Sequence, residues 1–205
     1  MSVGKAVAFD LGNVIFKFDY RKAMRALSGR LTREDDVVLY EHYFGGMGEA
    51  HEKGHLDAER YFERFCVFSG LSGMALDDFK SIWTGIFSLD ADTLALIHEL
   101  REARVPLYLI SNICDMHWEF LVAEYPEVFA LFDGRVLSYK TGSVKPEKKI
   151  YDVLVESAGR RPADIVYFDD RLDLIFASSL LGFDAHAFVD AKGAREVLTK
   201  KHLLV

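Results

Sequence analysis

Short apolar runs alternate along the chain with segments whose apolar residues recur at helical spacing. Four of these runs are rich in β-branched and aromatic residues and end in polar ones, which predicts buried parallel strands. They span residues 6–11, 107–111, 165–168 and 185–189. Amphipathic helices are predicted between the strands, at 93–104, around 116–122, at 148–158 and at 172–181. Strands that alternate with helices predict a doubly wound α/β fold.

Residues 17–88 interrupt this alternation. They contain helix-like segments and no convincing strand; the segments are 21–28, 34–43, 58–68 and 76–86. We therefore expect a core domain, formed by residues 1–16 and 89–205, with a helical cap inserted over 17–88. An insertion after the first strand lies over the carboxyl ends of the strands, where open α/β sheets bind ligands.

Composition narrows the class of protein. Half of the 205 residues are hydrophobic and 28% are charged, which excludes a disordered tail, a collagen-like fibre and a coiled coil. The net charge of −7 argues against binding to nucleic acid or to a bilayer surface, and no apolar stretch approaches the ~18 residues of a membrane span. The two cysteines, Cys66 and Cys114, form no CxxC pair, so we expect free thiols and a cytoplasmic protein.

Polar, reactive residues follow three of the predicted strands. Asp10 lies at the end of the first, Ser111 ends the second, and Asp169 and Asp170 follow the third; Lys145 lies in the segment before that last strand. Because the carboxyl ends of parallel strands meet at one edge of a sheet, Asp10, Ser111, Asp169 and Asp170 are expected to lie together.

Such a cluster has a definite chemistry. Neighbouring carboxylates repel one another unless a cation lies among them, and hard oxygen ligands without His or Cys favour Mg²⁺ over zinc. The hydroxyl of Ser111 and the ammonium of Lys145 supply donors for phosphoryl oxygens. Asp10 is the best candidate for a nucleophile that forms an aspartyl-phosphate, because it ends a strand and flexible Gly12 follows it.

The order of these motifs resembles the haloacid dehalogenase superfamily. The chain contains Phe-Asp-Leu-Gly-Asn-Val-Ile at 9–15, then Ser-Asn at 111–112, Lys-Pro at 145–146 and Phe-Asp-Asp at 168–170. The resemblance covers nearly the whole chain and implies a three-layer Rossmann-like α/β core with an inserted four-helix-type cap. The Asp-Leu-Gly-Asn-Val variant is similar to a subgroup that includes sugar-1-phosphate phosphatases.

The resemblance also implies a Mg²⁺ site. It assigns Asp10 as nucleophile and metal ligand, and the backbone carbonyl of Gly12 as a second ligand. Asp170 is implied to bind the metal directly, and Asp169 to bind it through water. Mg²⁺ is therefore the expected cofactor.

The remaining residues implied by the resemblance bind phosphate. Ser111 and Asn112 are implied to hold the transferring phosphoryl group, and Lys145 to neutralise the nucleophile and the phosphate. The expected substrate is a small phosphorylated metabolite, with a sugar phosphate favoured. We expect no nucleic-acid or membrane partner, and a monomer or weak homodimer.

The chain departs from the superfamily pattern at two positions. Gly12 stands where most phosphatases of the superfamily carry a second Asp, their general acid and base, so we expect slow turnover or a preference for good leaving groups. Leu174 stands where many relatives have Asn, beside Asp173. His117, close after the second motif, is a candidate substitute proton donor.

The sequence is also compatible with other functions. The two departures are compatible with a catalytically impaired member that binds a phosphometabolite or a protein partner. A 2-haloacid dehalogenase-like hydrolase is the main enzymatic alternative, and a phosphomutase is disfavoured by the missing acid–base group. Residues 51–55 spell the zinc-protease pattern His-Glu-x-x-His, but Gly54 and the preceding glycines favour a turn where that pattern needs a helix.

The cap offers candidates for contact with a substrate, although surface or core positions are the simpler interpretation for each. They are His42, Tyr43, His51, His55, Arg60 and Trp83. An aromatic stripe at helical spacing is expected to form the core of the cap; it comprises Tyr61, Phe62, Phe65 and Phe68.

Overall fold

The computed structural model describes residues 4–205, apart from the side chain of Phe44, so the first three residues of the expected core domain lie outside the described residues. Within the described range, five strands form a parallel sheet: β1 (Ala6–Phe9), β4 (Leu107–Ser111), β5 (Gly134–Leu137), β6 (Ile165–Asp169) and β7 (Asp184–Ala187). Their order across the sheet is β5-β4-β1-β6-β7. The strands β2 (Phe16–Phe18) and β3 (Phe87–Leu89) form a separate antiparallel pair.

Twelve helices accompany the strands in the described part of the chain. They are α1 (Tyr20–Leu27), α2 (Asp35–Phe44), α3 (Gly46–Glu52), α4 (Ala58–Ser69), α5 (Leu76–Thr84), α6 (Ala91–Glu102), α7 (Asp115–Glu124), α8 (Pro126–Ala130), α9 (Ser138–Thr141), α10 (Lys148–Ala158), α11 (Leu172–Leu180) and α12 (Ala191–Lys200). Aspartate side chains accept a backbone N–H at the start of four of them, which explains where these helices begin; the aspartates are Asp19, Asp57, Asp90 and Asp190. Among residues 4–205, no helix is both long and apolar enough to cross a bilayer.

The sheet is the middle layer of three, as expected. Side chains alternate along β1, so Val7 and Phe9 face one apolar cluster while Ala6 and Ala8 face another. The first cluster packs against α6, α7, α8 and α12, and the second against α10. All four β1 residues are buried, because helices cover both faces of the sheet. The prediction of a three-layer α/β fold is therefore confirmed.

Residues 17–88, which we call the cap region, contain α1 to α5. Their apolar side chains form one cluster, to which only Cys114 and Met116 are added from outside the cap region. In this cluster Trp83 is fully buried and packs against Tyr61, Phe65 and Phe79. The pair β2–β3 lies where the cap region joins the rest of the chain. The division of the chain into a core domain and a cap stays a prediction. It is supported by the apolar cluster that the helices of the cap region form together.

Four elements described here differ from the sequence expectations. β5 was not predicted, because its short Gly-Arg-Val-Leu sequence lies at the sheet edge and exposes Arg135. β2 and β3 were not predicted either, because each has only three residues, which is too short to show an alternating hydrophobic pattern. Helix α3 forms despite its glycines, but it ends at Glu52 and Gly54 has a φ of +69°. His51 and His55 therefore do not share one helix, as the zinc-protease pattern requires.

The buried sheet predicts a contrast between two leucines. We expect Leu109→Ala in β4 to lower the free energy of unfolding by about 2–5 kcal/mol, because it leaves a cavity in the first apolar cluster. Leu180 on α11 is 72% exposed, so Leu180→Ala is the matched control and should change stability by about 0.5 kcal/mol or less. Urea unfolding measures both. Equal effects of the two substitutions would contradict this assignment of the core.

Candidate active site

The carboxyl ends of β1, β4 and β6 meet at a cavity of about 420 Å³. Of the seven residues predicted for the site, six line this cavity: Asp10, Gly12, Ser111, Asn112, Lys145 and Asp170. The seventh, Asp169, is fully buried and bonds to Lys145. The strand ends therefore bring six of the seven together and the loop before α10 adds Lys145, although the seven are spread over 160 positions of the sequence.

Lys145 is the centre of the cluster. Its Nζ lies 2.6 Å from Asp10 Oδ1 and 2.7 Å from Asp169 Oδ2, and it also donates to the carbonyl oxygen of Ile110 at 3.4 Å. Burial by itself lowers the pKa of Lys145, but the two carboxylates outweigh burial and hold that pKa above its usual range. The ammonium is therefore charged and shared between the two acids.

Asp169 is engaged on both oxygens. Oδ2 accepts hydrogen bonds from Lys145 and from the hydroxyl of Tyr167, and Oδ1 accepts the backbone N–H of Arg171 at 2.9 Å. These bonds compensate for the complete burial of this carboxylate. Sequence reasoning did not single out Tyr167, whose hydroxyl reaches the site because it lies two residues before Asp169 on the same strand.

Unlike Asp169, Asp10 lines the cavity. Burial raises the pKa of its carboxyl, Lys145 opposes this rise, and the charge of Asp169 adds to it. The carboxylate lines the cavity while Asp169 lies behind it, so Asp10 is the member of the pair that a ligand in the cavity meets. This is the position that a nucleophile requires.

The carboxylates offer a set of hard oxygen donors. One oxygen each from Asp10, Asp169 and Asp170 lies within 4.8 Å of the others. Burial raises the pKa of Asp170, whose Oδ2 accepts a hydrogen bond from Asn13 Nδ2 at 3.0 Å. A divalent cation that prefers oxygen ligands fits this donor set, because it offsets the mutual repulsion of the acids.

Asn13 is a site residue that sequence reasoning did not identify. Its φ of +56° lies in the left-handed region, which Asn tolerates better than most residues. That conformation lets the side chain turn toward Asp170 from the loop after β1. The Gly-Asn pair directly after a predicted strand was the available signal.

Asn112 fixes the loop that carries Lys145. Its Oδ1 accepts the backbone N–H of Lys145 at 2.7 Å, and its Nδ2 donates to the carbonyl of the same residue at 3.1 Å. The side chain is thus occupied by the main chain of Lys145. Ser111 Oγ has only a long contact, 3.5 Å, with the carbonyl of Asn112. The predicted roles of Ser111 and Asn112 in binding a phosphoryl group stay predictions.

The two departures from the superfamily pattern have visible consequences. A Cβ at Gly12 would lie 2.7 Å from Phe18 Cε1, so the Phe18 ring fills the space that a side chain there would need. Leu174 is buried and lines the cavity. Asp173 does not line it; its side chain is 61% exposed and pairs with Arg171. Asp173 therefore supplies nothing to the cavity.

The opposite wall of the cavity comes largely from the cap region. Of the cap candidates, His42, Tyr43 and His51 line the cavity. Trp83 belongs to the apolar cluster of the cap region, and His55 and Arg60 are exposed residues that do not line the cavity.

Two histidines of the cavity are neutral. Burial lowers the pKa of His42 and that of His117 to about 3 in each case. His117 also leaves its Nε2 buried without a hydrogen-bond partner among the described residues. The expectation that His117 serves as the proton donor is therefore not supported, because the neutral imidazole lacks the second, acidic proton that an imidazolium would release.

His51 has a structural partner instead of a metal. Its Nε2 lies 2.8 Å from Asp115 Oδ1, and its ring stacks on Tyr61 with centroids 4.2 Å apart. The second oxygen of Asp115 accepts the backbone N–H of Ala58 at the start of α4. Together with Cys114, these two side chains form a group that could ligate a metal, but both oxygens of Asp115 are already bonded.

The chain is similar in sequence to several known proteins. A family model described as haloacid dehalogenase-like hydrolase matches residues 5–177. D-ribitol-5-phosphate phosphatase of Bacteroides thetaiotaomicron is 27% identical over 202 residues, which cover 95% of this chain and 97% of that protein. A sesquiterpene phosphatase of Aspergillus oryzae is 24% identical over 190 residues, 87% of this chain and 86% of that protein.

A solved structure shows the same fold. It is the crystal structure of a HAD family enzyme from Bacteroides thetaiotaomicron, in complex with magnesium and inorganic phosphate. Its TM-score to this chain is 0.80 at 22% sequence identity, and the match covers 90% of this chain and 94% of the other.

The shared ammonium predicts a stability that depends on pH. In Lys145→Met, Asp10 and Asp169 face each other without a cation, and the folded state takes up a proton that the unfolded state does not bind near neutral pH. The free energy of unfolding should therefore fall as pH rises, with a deficit of about 3–5 kcal/mol at the alkaline end and a smaller one near pH 5.

Urea unfolding of Lys145→Met in EDTA at several pH values measures this effect. Lys148→Met is the matched control, because Lys148 is exposed and pairs only with nearby Asp152. It should stay close to the wild type at every pH. A deficit in Lys145→Met that does not vary with pH would show that the two carboxylates are not coupled through this ammonium.

Proposed function

Because the chain belongs to the haloacid dehalogenase-like hydrolases, we propose that it is a Mg²⁺-dependent phosphomonoesterase that acts through an aspartyl-phosphate. The observation that carries the proposal is the contact of one buried ammonium, that of Lys145, with Asp10 and Asp169 at the edge of a cavity. An acid that is both cavity-lining and paired to a fixed cation is suited to attack an anionic phosphoryl group.

Asp10 is the nucleophile in this proposal. Its carboxylate bonds to phosphorus while the ester P–O bond breaks, and the departing oxygen takes up a proton to leave as the alcohol. Water then attacks the phosphorus and gives up a proton, the bond to Asp10 breaks, and inorganic phosphate leaves with the carboxylate restored. Lys145 offsets the charge of Asp10 and of the incoming phosphoryl oxygens throughout, because Asp169 keeps it in place from behind.

The acids that line the cavity would hold the cofactor. Asp10, the carbonyl of Gly12 and Asp170 are the proposed direct ligands of Mg²⁺, and Asp169 is the proposed ligand through water. Mg²⁺ bound there supplies positive charge that offsets the phosphoryl oxygens. Asn13 holds Asp170 in position, and the hydroxyl of Ser111 together with Asn112 would complete the phosphoryl site.

A small phosphorylated metabolite is the proposed substrate, with a sugar or polyol phosphate favoured. The cavity volume of about 420 Å³ is in the range of small-molecule sites. One similar protein is a phosphatase of a polyol phosphate and another is a sesquiterpene phosphatase, which supports phosphate ester hydrolysis over the dehalogenase alternative.

The nucleophile is tested by Asp10→Asn, which removes the attacking charge and keeps the shape. We expect phosphate release from a panel of sugar, polyol and acyl phosphates to fall by about 10³-fold or more. EDTA should abolish wild-type activity and added Mg²⁺ should restore it. Asp173→Asn is the matched control, because that carboxylate lies outside the cavity, and it should keep wild-type turnover.

The outcomes separate the candidate functions. Turnover by Asp10→Asn at the wild-type rate would refute the mechanism. Phosphate binding without phosphate release by the wild type would favour the impaired binding protein that Gly12 and Leu174 suggest. Halide release from a 2-haloacid without Mg²⁺ would favour the dehalogenase.

A further inference from the structure

Glu52 is a carboxyl group in the cavity for which the mechanism above has no use. It is the last residue of α3, and its side chain lines the same cavity as Asp10, Ser111 and Lys145. Among the described residues, no side chain or backbone N–H donates a hydrogen bond to its carboxyl group. A partly buried acid without a partner next to a reaction site calls for an explanation.

The main chain around Glu52 is fixed to the core of the protein. The hydroxyl of Ser138, itself fully buried, donates to the Glu52 carbonyl at 2.6 Å and is bonded at the same time to the main chain of Ile113 after β4. One residue earlier, His51 bonds to Asp115 at 2.8 Å. The end of α3 therefore has a set position relative to β4.

The next two residues add to this attachment. Lys53 Nζ lies 2.6 Å from Glu147 Oε1 in the segment before α10. A Cβ at Gly54 would lie 2.3 Å from the carbonyl oxygen of Tyr139, and the φ of +69° also favours glycine, so the chain packs closely against α9 here. The His-Glu-Lys-Gly stretch, which resembles a zinc-protease pattern in sequence, is thus a docking segment that presents Glu52 to the cavity.

The charges around Glu52 suit proton transfer. Burial raises the pKa of Glu52 to about 7, Lys145 and Arg171 act to lower it, and Glu49 acts to raise it. The other ionisable groups that sense Glu52 are uncharged at neutral pH, since their own pKa values are raised by burial; they are Tyr20, Tyr61 and Cys114. A carboxyl group that holds its proton part of the time near neutral pH can both donate and accept one.

Other groups in the cavity do not fill this role. Gly12 has no side chain, and Phe18 occupies the adjoining space. His42 and His117 stay neutral, because burial lowers the pKa of each to about 3.

We propose that Glu52, supplied by the cap region, is the general acid and base of the reaction in place of the side chain that Gly12 lacks. In the first step, the Glu52 carboxyl group gives its proton to the ester oxygen as the P–O bond breaks and Asp10 bonds to phosphorus, so an alcohol departs. In the second step, the Glu52 carboxylate takes a proton from the water that attacks phosphorus. Release of phosphate from Asp10 restores both acids. The inference rests on the proposed phosphatase function.

Leaving-group dependence tests the acid role. p-Nitrophenol departs without a proton, whereas an alkyl alcohol needs one. For Glu52→Gln we expect kcat/KM to fall by about 10²–10⁴-fold on the alkyl phosphate that the wild type hydrolyses best, chosen from a panel of sugar and polyol phosphates. On p-nitrophenyl phosphate, kcat/KM should stay close to wild type, which also shows that the variant is folded.

A burst experiment tests the base role in the same variant. With p-nitrophenyl phosphate, Glu52→Gln should release one equivalent of p-nitrophenol rapidly and then turn over slowly, because water attacks the aspartyl-phosphate without a base. A linear time course with unchanged kcat would overturn the base role.

Two further variants complete the design. Glu63→Gln makes the same charge change at an exposed position of α4 and should leave both esters unaffected. Glu52→Asp keeps a carboxyl group and should retain more alkyl-ester activity than Glu52→Gln. Should Glu52→Gln fail to fold, Glu52→Asp decides on its own by losing more activity on the alkyl ester than on p-nitrophenyl phosphate.

The outcomes distinguish this inference from the proposed function. Equal losses on both esters, or no loss on either, would overturn the role of Glu52 while leaving the phosphatase intact. Failure of the wild type to hydrolyse either ester would instead overturn the phosphatase.

Discussion

The site depends on a single buried cation shared by two acids. Lys145 contacts Asp10 and Asp169 at hydrogen-bond distance, and each of the three comes from a different part of the chain. Charges removed from water are tolerated when they are paired and hydrogen-bonded, and here the protein meets both conditions. Asn112 fixes the main chain of Lys145, and Tyr167 donates to Asp169. Both carboxylates therefore contact the ammonium, but only Asp10 also lines the cavity, and Asp169 lies behind it.

The second constraint is the attachment of the cap region near Glu52. Polar contacts at Asp115, Ser138 and Glu147 join residues 51–53 to the core, so this part of the cavity wall is fixed by directional bonds. Apolar contact alone would set the distance between the two parts less sharply, because the hydrophobic effect is not directional. A side chain on a wall that is fixed in this way can take part in a reaction as well as bound the cavity.

Gly12 and Phe18 together shape one part of the cavity wall. Without a side chain at residue 12, the ring of Phe18 closes over the main chain and makes edge contact with Tyr20 and a tilted contact with Phe87. The floor of the cavity is then aromatic where an acid is expected, and any proton for a leaving group has to come from elsewhere. The carboxyl group of Glu52, which lines the same cavity as Lys145 and Arg171, is the group that we propose for this role.

The sequence by itself determined four of the five strands of the parallel sheet, to within two residues at each end, and most helices, because these depend on the local hydrophobic period. It also determined that Asp10, Ser111, Asp169 and Asp170 meet, since parallel strands bring their carboxyl ends to one edge, whereas Lys145 was implied only by the family resemblance. It could not predict β5, whose short edge strand has little pattern, or helix α3, whose glycines predict a turn. Only the tertiary structure placed Asn13 beside Asp170, made His117 neutral and brought Glu52 into the cavity. Those features arise from burial and from contacts between residues far apart in sequence, and no local pattern records either one.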